Sequence, residues 1–276
     1  IVRDSAFGIA AVPIETVERS HIGDVEFGAK VLLYDGLGTR PPQRVDWSGF
    51  RFRLAVGGAY RLGTGQLHSP DDFADVGTGD RTNDIEGRVF ADFLFGRRFW
   101  TSVVGRYGVQ QVDEQFMRIP DVPNAPFPAL YRRQFVTRDL GDYYVAEVSP
   151  RLTLTDALMM SATYSVAHKG EDAYTGSFPV TNLAGEQVTL DASVLNAGTE
   201  RTEQRLVAGF TYSSMAAYYR GRSKLPLEVS YMVGQSMSGS GHAMKTFTQA
   251  IGIRLYSRLF GTPENRPARP PRRALR

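Results

Sequence analysis

The chain of 276 residues has no cysteine, which excludes disulfides, thiolate nucleophiles and cysteine-ligated metals and is compatible with an exported protein. Its four histidines, His21, His68, His168 and His242, are scattered. No spacing among them gives a metal site or a nucleophile–base pair, so neither catalytic residues nor a cofactor are expected. There is also no apolar run near the ~18 residues that a membrane-spanning helix needs. A mean hydropathy of −0.25 with 42% hydrophobic residues would ordinarily describe a water-soluble protein. Alternating strands, however, average an oily and a polar face and hide a membrane barrel from hydropathy. An excess of basic charge is absent once the end of the chain is set aside. The net charge is +3, and residues 261–276 contribute +4 through five Arg and one Glu, leaving −1 for the rest. The pI of about 9.1 therefore belongs to the tail and gives no basis for a nucleic-acid partner. No signal peptide is visible, and the chain opens at Ile1 rather than Met, as a mature form or a fragment that has lost upstream sequence would.

What the chain does have is aromatics, 13 Tyr and 16 Phe, and a pattern of period two. From Asn83 to Asp113, Ile85, Gly87, Val89, Ala91, Phe93 and Phe95 alternate with Asp84, Glu86, Arg88, Phe90, Asp92 and Leu94. After Gly96-Arg97 the pattern resumes, with Phe99, Thr101, Val103, Gly105, Tyr107 and Val109 against Trp100, Ser102, Arg106 and Gln110. Two alternating runs joined by so short a turn predict a β-hairpin. Each strand is about 12 to 15 residues, against a usual 5 or 6, whereas a tilted transmembrane strand needs about 9 to 11.

The same alternation predicts strands over Asp24–Tyr34, Phe50–Leu62, Tyr143–Leu154, Leu158–Lys169, Gln204–Tyr212, Leu227–Gln235 and Thr246–Leu259, with a weaker, Pro13-interrupted one over Asp4–Val17. That makes ten, and twelve if upstream sequence is missing. The segment Glu114–Arg138, with Pro120, Pro123, Pro126 and Pro128, reads as a long loop that cannot be a central strand, and Gly170–Arg201 as the longest loop. Connection lengths alternate. Gly63–Arg81, Glu114–Arg138, Gly170–Arg201 and Ser236–Ala243 fall on one end, and the first three are long, while Asp35–Val45, Gly96-Arg97, Thr155-Asp156 and Ser213–Lys224 fall on the other and are shorter than those three. Short turns at one end and long loops at the other is the asymmetry of bacterial outer-membrane barrels.

Certain stretches resemble one such family. Gly23-Asp24 before an alternating strand, Arg61-Leu62-Gly63-Thr64-Gly65, Gly77-Thr78-Gly79-Asp80, and Leu225-Pro226-Leu227-Glu228-Val229-Ser230-Tyr231 followed by Ser238-Gly239-Ser240-Gly241 are similar to outer-membrane barrels of the family named for a meta-pathway of phenol degradation. The resemblance covers roughly Ile22–Phe260. It implies a barrel related in kind to porins and fatty-acid transporters, admitting aromatic or other hydrophobic compounds, with no catalytic residues. One departure is that Phe260 is followed by a Pro/Arg-rich tail, where such barrels usually end on an aromatic residue of the last strand.

The expected architecture is therefore all-β: an antiparallel transmembrane β-barrel over residues 1–260 and a disordered Pro/Arg-rich tail over 261–276. The expected setting is a Gram-negative outer membrane, with its lipids and small-molecule solutes as partners. The expected function is passive uptake of small hydrophobic or aromatic solutes; the alternative is a structural or adhesive barrel acting through its long extracellular loops. The polar strand faces supply the candidate pore lining: Glu26, Lys30, Arg51, Arg53, Arg61, Glu86, Arg88, Asp92, Arg106, Glu147, Arg151, Arg205, Glu228 and Arg254. Nine are basic and five acidic. They line an open passage that favours anionic or polar-aromatic solutes, or form an ion-pair ladder that fills a narrow barrel. Asp71, Asp72, Asp75, Asp80 and Asp84 form an acidic cluster without the spacing of a calcium loop. Arg118–Leu130 is an inward-folding constriction or an ordinary surface loop.

Overall fold

A computed structural model describes residues 21–36, 49–70, 75, 77–96, 98–123, 125, 128–241 and 243–256. Among the described residues, nine long strands form one antiparallel sheet. They are β1 (Val25–Asp35), β2 (Phe50–Leu62), β3 (Asp84–Phe95), β4 (Phe99–Gln110), β7 (Tyr143–Thr153), β8 (Leu158–Lys169), β12 (Arg201–Ser213), β13 (Leu227–Ser240) and β14 (Phe247–Leu255). Each pairs with the next, so the sheet is an up-and-down meander, with register shifts at Leu32/Tyr34 and Gln204/Arg205. The strand expected over Asp4–Val17, Arg97 of the short turn and the tail over 261–276 lie outside the described residues.

Register carries the alternation across the sheet. Arg61 stands opposite Asp84, and Asp84 opposite Gln110. Arg53 stands opposite Asp92, Asp92 opposite Ser102, and Ser102 opposite Ser149. With side chains alternating at period two, one face collects the charged residues and the other the oily ones. Their exposure is the reverse of that in a soluble sheet. On the charged face Ala55, Ala59, Asp84, Glu86, Leu94 and Gln110 are buried, while on the oily face Phe27, Val31, Ile85, Val89, Tyr107, Phe210 and Ile253 are exposed. Among the described residues β1 and β14 do not pair with each other, and both are exposed along nearly their whole length. The nine strands therefore form an open sheet rather than the closed barrel expected from the sequence.

The segments read as loops are partly folded. The connection from β4 to β7 forms β5 (Asp113–Arg118) and β6 (Arg133–Asp139), and that from β8 to β12 forms β9 (Ala173–Thr175), β10 (Ser177–Thr181) and β11 (Gln187–Asp191). They build two small sheets, β5-β6-β9 and β10-β11. This corrects the reading of Glu114–Arg138 as a segment that cannot hold a central strand. Its four prolines fall between β5 and β6, which leaves β6 free to take the middle of its sheet. The buried apolar cluster of the described residues is here, in a cap at the long-connection end: Ile119, Val136, Tyr174, Leu190 and Ala192, flanked by Met117, Phe178, Val180, Val188 and Leu195. At the other end the connection from β12 to β13 holds a short helix, α1 (Met215–Tyr219).

Candidate functional site

Register places all fourteen candidate pore-lining residues on the charged face, and contacts sort them into groups. Toward the cap, Arg61 pairs with Asp84 at 2.8 Å and reaches Glu26 at 3.9 Å. Arg88 pairs with Glu26 at 2.6 Å and also with Glu86. The Tyr143 hydroxyl donates to Glu86 at 2.9 Å. Asp84 and Glu86 are the most enclosed of these acids, with side chains 1% and 5% exposed, and burial of such groups is tolerable only when they are paired and hydrogen-bonded. Gly108 makes room for one of those bonds, because a Cβ there would strike the Tyr143 ring.

Toward the short-turn end, Arg53 pairs with Asp92 at 2.9 Å, and Asp92 accepts the Ser102 hydroxyl at 2.7 Å. In mid-sheet Arg106 reaches Glu147 at 3.4 Å, and near the β14 edge Arg254 pairs with Glu228 at 3.0 Å. The remaining four bases are held by neutral groups. Lys30 lies 3.6 Å over the Phe90 ring and Arg151 5.4 Å from the Trp100 ring centre. Arg51 donates to the Gly36 carbonyl at 2.9 Å and Arg205 to the Thr248 hydroxyl at 2.7 Å. The five acids are thus all matched with bases, and the basic excess rests on aromatic rings, hydroxyls and carbonyls.

The same face includes residues that the sequence reading left out of this set. Asp84 was grouped with a surface acidic cluster, yet it is buried and paired with Arg61. Tyr143 and Gln110 join its network, Gln110 bridging Asp84 and Asp80 at 3.4 and 3.3 Å. The signal was there in the strict alternation from Asp84 to Leu94. The rest of the acidic cluster is dispersed: Asp75 accepts the Ser69 amide at 2.6 Å, Asp80 accepts the Thr82 amide at 3.1 Å, and Asp71 and Asp72 lie outside the described residues. His168 belongs to the oily face, 5.1 Å from Tyr144 ring to ring and hydrogen-bonded to Thr202 at 2.9 Å.

Where the sheet meets the cap, the glycine motifs converge. The Gly65 amide donates to Asp24 at 2.8 Å, the Thr64 hydroxyl to the Gly23 carbonyl at 2.8 Å, and the Gln66 amide to the Thr78 hydroxyl at 2.9 Å. A Cβ on Gly79 would lie 2.5 Å from the Asp24 carboxylate, which explains the glycine. Arg138 of β6 completes the joint, donating to the Asp80 carbonyl at 2.7 Å, the Thr82 hydroxyl at 2.8 Å and both Asp113 oxygens. Burial alone would lower its pKa, but the bonds to and charge of Asp113 outweigh that and hold it above the ordinary value. The proline-rich segment packs on the cap. Ile119 and Pro120 are buried, Arg118 donates to the Pro128 carbonyl at 2.9 Å, and a cavity of about 210 Å³ lies beside them; Phe127 lies outside the described residues.

The oily face has its own order. Near the short turns Tyr34, Phe50, Phe52, Phe93, Phe95 and Phe99 form a chain of ring contacts, with neighbouring centroids 5.1 to 6.4 Å apart. Near the cap Phe27 stands opposite Tyr60, and Tyr107 opposite Tyr144. Eight residues separate Phe52 from Tyr60 on β2 and Phe99 from Tyr107 on β4, which spans about 27 Å. No protein-family model and no curated protein matches the chain.

Proposed function

We propose that the chain is an antiparallel transmembrane β-barrel of a Gram-negative outer membrane, and that it provides passive uptake of small hydrophobic or aromatic solutes. The observation that carries this reading is the inverted exposure of the nine-stranded sheet: its oily face is exposed, and its charged face is the more enclosed, with near-complete burial of Asp84 and Glu86. Contiguous exposed apolar surface on this scale is unfavourable in water. It is what lipid requires, since Arg on the lipid side costs about 2 to 4 kcal/mol at mid-bilayer. The aromatic belts lie about 27 Å apart along the strands, which at a tilt of about 35–45° projects to roughly 20 Å and fits within an apolar band of about 25 Å flanked by aromatic girdles.

On this reading the β1 and β14 edges are covered in the membrane, because an unpaired edge in lipid leaves backbone groups unsatisfied. The likeness to the phenol-degradation family supports hydrophobic or aromatic solutes. The basic excess on the charged face supports solutes that carry partial or full negative charge. Liposome swelling and single-channel recording test the transport claim. Open-channel steps and entry of small aromatic solutes are expected, and a reconstituted barrel with no flux for any solute overturns it. Arg88 and Arg106 stand opposite each other in mid-sheet, so replacing both by Ala is expected to raise conductance and reduce preference for anions.

A second reading is a structural or adhesive barrel acting through its long connections. It is favoured by the cap, which has an apolar cluster of its own and needs no such cluster to be a passive loop. Removing β9–β11 separates the two: transport persists or increases on the first reading, and adhesion is abolished on the second.

A further inference from the structure

The connection from β12 to β13 differs in chemistry from every long connection at the opposite end. Residues 214–226 contain Arg220, Arg222 and Lys224 and no acid, whereas residues 170–200 contain five acids and no Lys or Arg. Arg220, Arg222 and Lys224 are exposed, as is Arg98 on the neighbouring short turn. Among the described residues one acid, Asp156 of the β7–β8 turn, faces this group. It pairs with Arg220, and its carboxyl is held below the usual range by that hydrogen bond, with further help from the charges of Arg222 and Arg98. One carboxylate against four cations leaves the patch strongly basic.

Apolar groups accompany the charges. Tyr218, Tyr219 and Leu225 are 41%, 60% and 62% exposed, and they flank the three bases in sequence. The patch lies at the same end of the sheet as the rings of Phe50, Phe95 and Phe99, and aromatic rings and cations together are the groups that meet lipid headgroups.

We propose that residues 214–226, with Arg98, bind the phosphates of anionic phospholipids in the leaflet at the short-turn end. Tyr218, Tyr219 and Leu225 lie in the interface, while Arg222 and Lys224 take the headgroups. Arg220 is shared between Asp156 and lipid. The proposal rests on the membrane-spanning reading given above, and its test distinguishes the two.

The protein is reconstituted into mixed phosphatidylcholine and phosphatidylglycerol vesicles that contain a trace of spin-labelled lipid of either kind, and the motionally restricted fraction is read by electron paramagnetic resonance. Restricted phosphatidylglycerol should exceed restricted phosphatidylcholine by about fivefold, the factor that one basic side chain near an anionic surface supplies. High salt should reduce that preference. R222Q/K224Q, which leaves the Arg220–Asp156 pair and Arg98 intact, should clearly reduce it while keeping heat-modifiable migration on gels. Equal restriction of the two lipids by the native protein overturns this proposal and leaves the membrane reading standing. Restriction of neither lipid overturns the membrane reading itself.

Discussion

The cap and the nine-stranded sheet are built from one chain with opposite rules. The cap has an oily core: Val136, Leu190 and Ala192 are essentially sealed from solvent, and Asp121, Glu186 and Asp191 stay out, although Arg138 and Asp172 are also buried there. In the sheet Ile85, Val89 and Tyr107 are out, while Asp84 and Glu86 are buried. A water-soluble domain follows the first rule throughout, because apolar burial is its main source of stability, about 25 cal/mol per Å². A sheet that follows the second rule gains nothing from water. On the proposed membrane reading the two regions face different surroundings, and that contrast can be attacked from either side.

The largest effect is expected in the cap. Leu190→Ala removes a fully buried side chain and should cost the cap about 2 to 5 kcal/mol, seen as faster backbone hydrogen exchange over β10 and β11, with heat-modifiable migration of the sheet unchanged. Comparable loss in the sheet would mean that the regions are not separate. Next is Val89→Arg, at mid-strand on the oily face. In bilayers it should lower the urea midpoint by an amount equivalent to about 2 to 4 kcal/mol; if the face met water, an exposed Val→Arg change would fall within about 0.5 kcal/mol.

Asp84→Asn comes third. It deprives Arg61 of its near partner and leaves Glu26 at 3.9 Å. Because Arg61 keeps about a third of its side chain exposed, the expected cost is roughly 1 to 2 kcal/mol, below that of breaking a fully buried pair. The smallest concerns Tyr174 in the cap, whose hydroxyl is pushed above its ordinary pKa by burial and then by the charge of Asp172. A raised pKa means that the stabilisation is complete below the unfolded value, about 10, and is lost as pH rises through the folded value. The cap should therefore loosen selectively in strong alkali, and Tyr174→Phe should remove that part of the loss.

The contrast also explains what could be read from the sequence. The sheet strands are 9 to 14 residues long and alternate throughout, so β2 and β8 are legible to their end residues. The fourteen charged positions fell on one face because period two admits only two faces. The cap strands run from three to seven residues, too short for a period to stand out. Pro179 stands within β10, where it is tolerated because each strand of a two-stranded sheet is an edge. Asp84 sits where two patterns meet: it closes a run of aspartates in the connection and opens the alternation of β3, and its pairing with Arg61 shows that the alternation governs it. The convergence of Gly65 and Gly79 on Asp24 depends on contacts between residues at least 41 positions apart in sequence, and no local pattern announces it.

The lack of cysteine makes the central claim directly measurable, since single cysteines can be introduced and labelled one at a time. Nitroxide labels placed at each position from Asp84 to Phe95 in the reconstituted protein report collisions with oxygen, which concentrates in lipid, and with a water-soluble nickel chelate. Oxygen collisions should peak at Ile85, Val89 and Phe93 and fall at Glu86, Arg88 and Asp92, with nickel collisions in the opposite phase. Nickel access at Val89 and Phe93 as high as at Arg81 in the connecting loop would place the oily face in water and contradict the account.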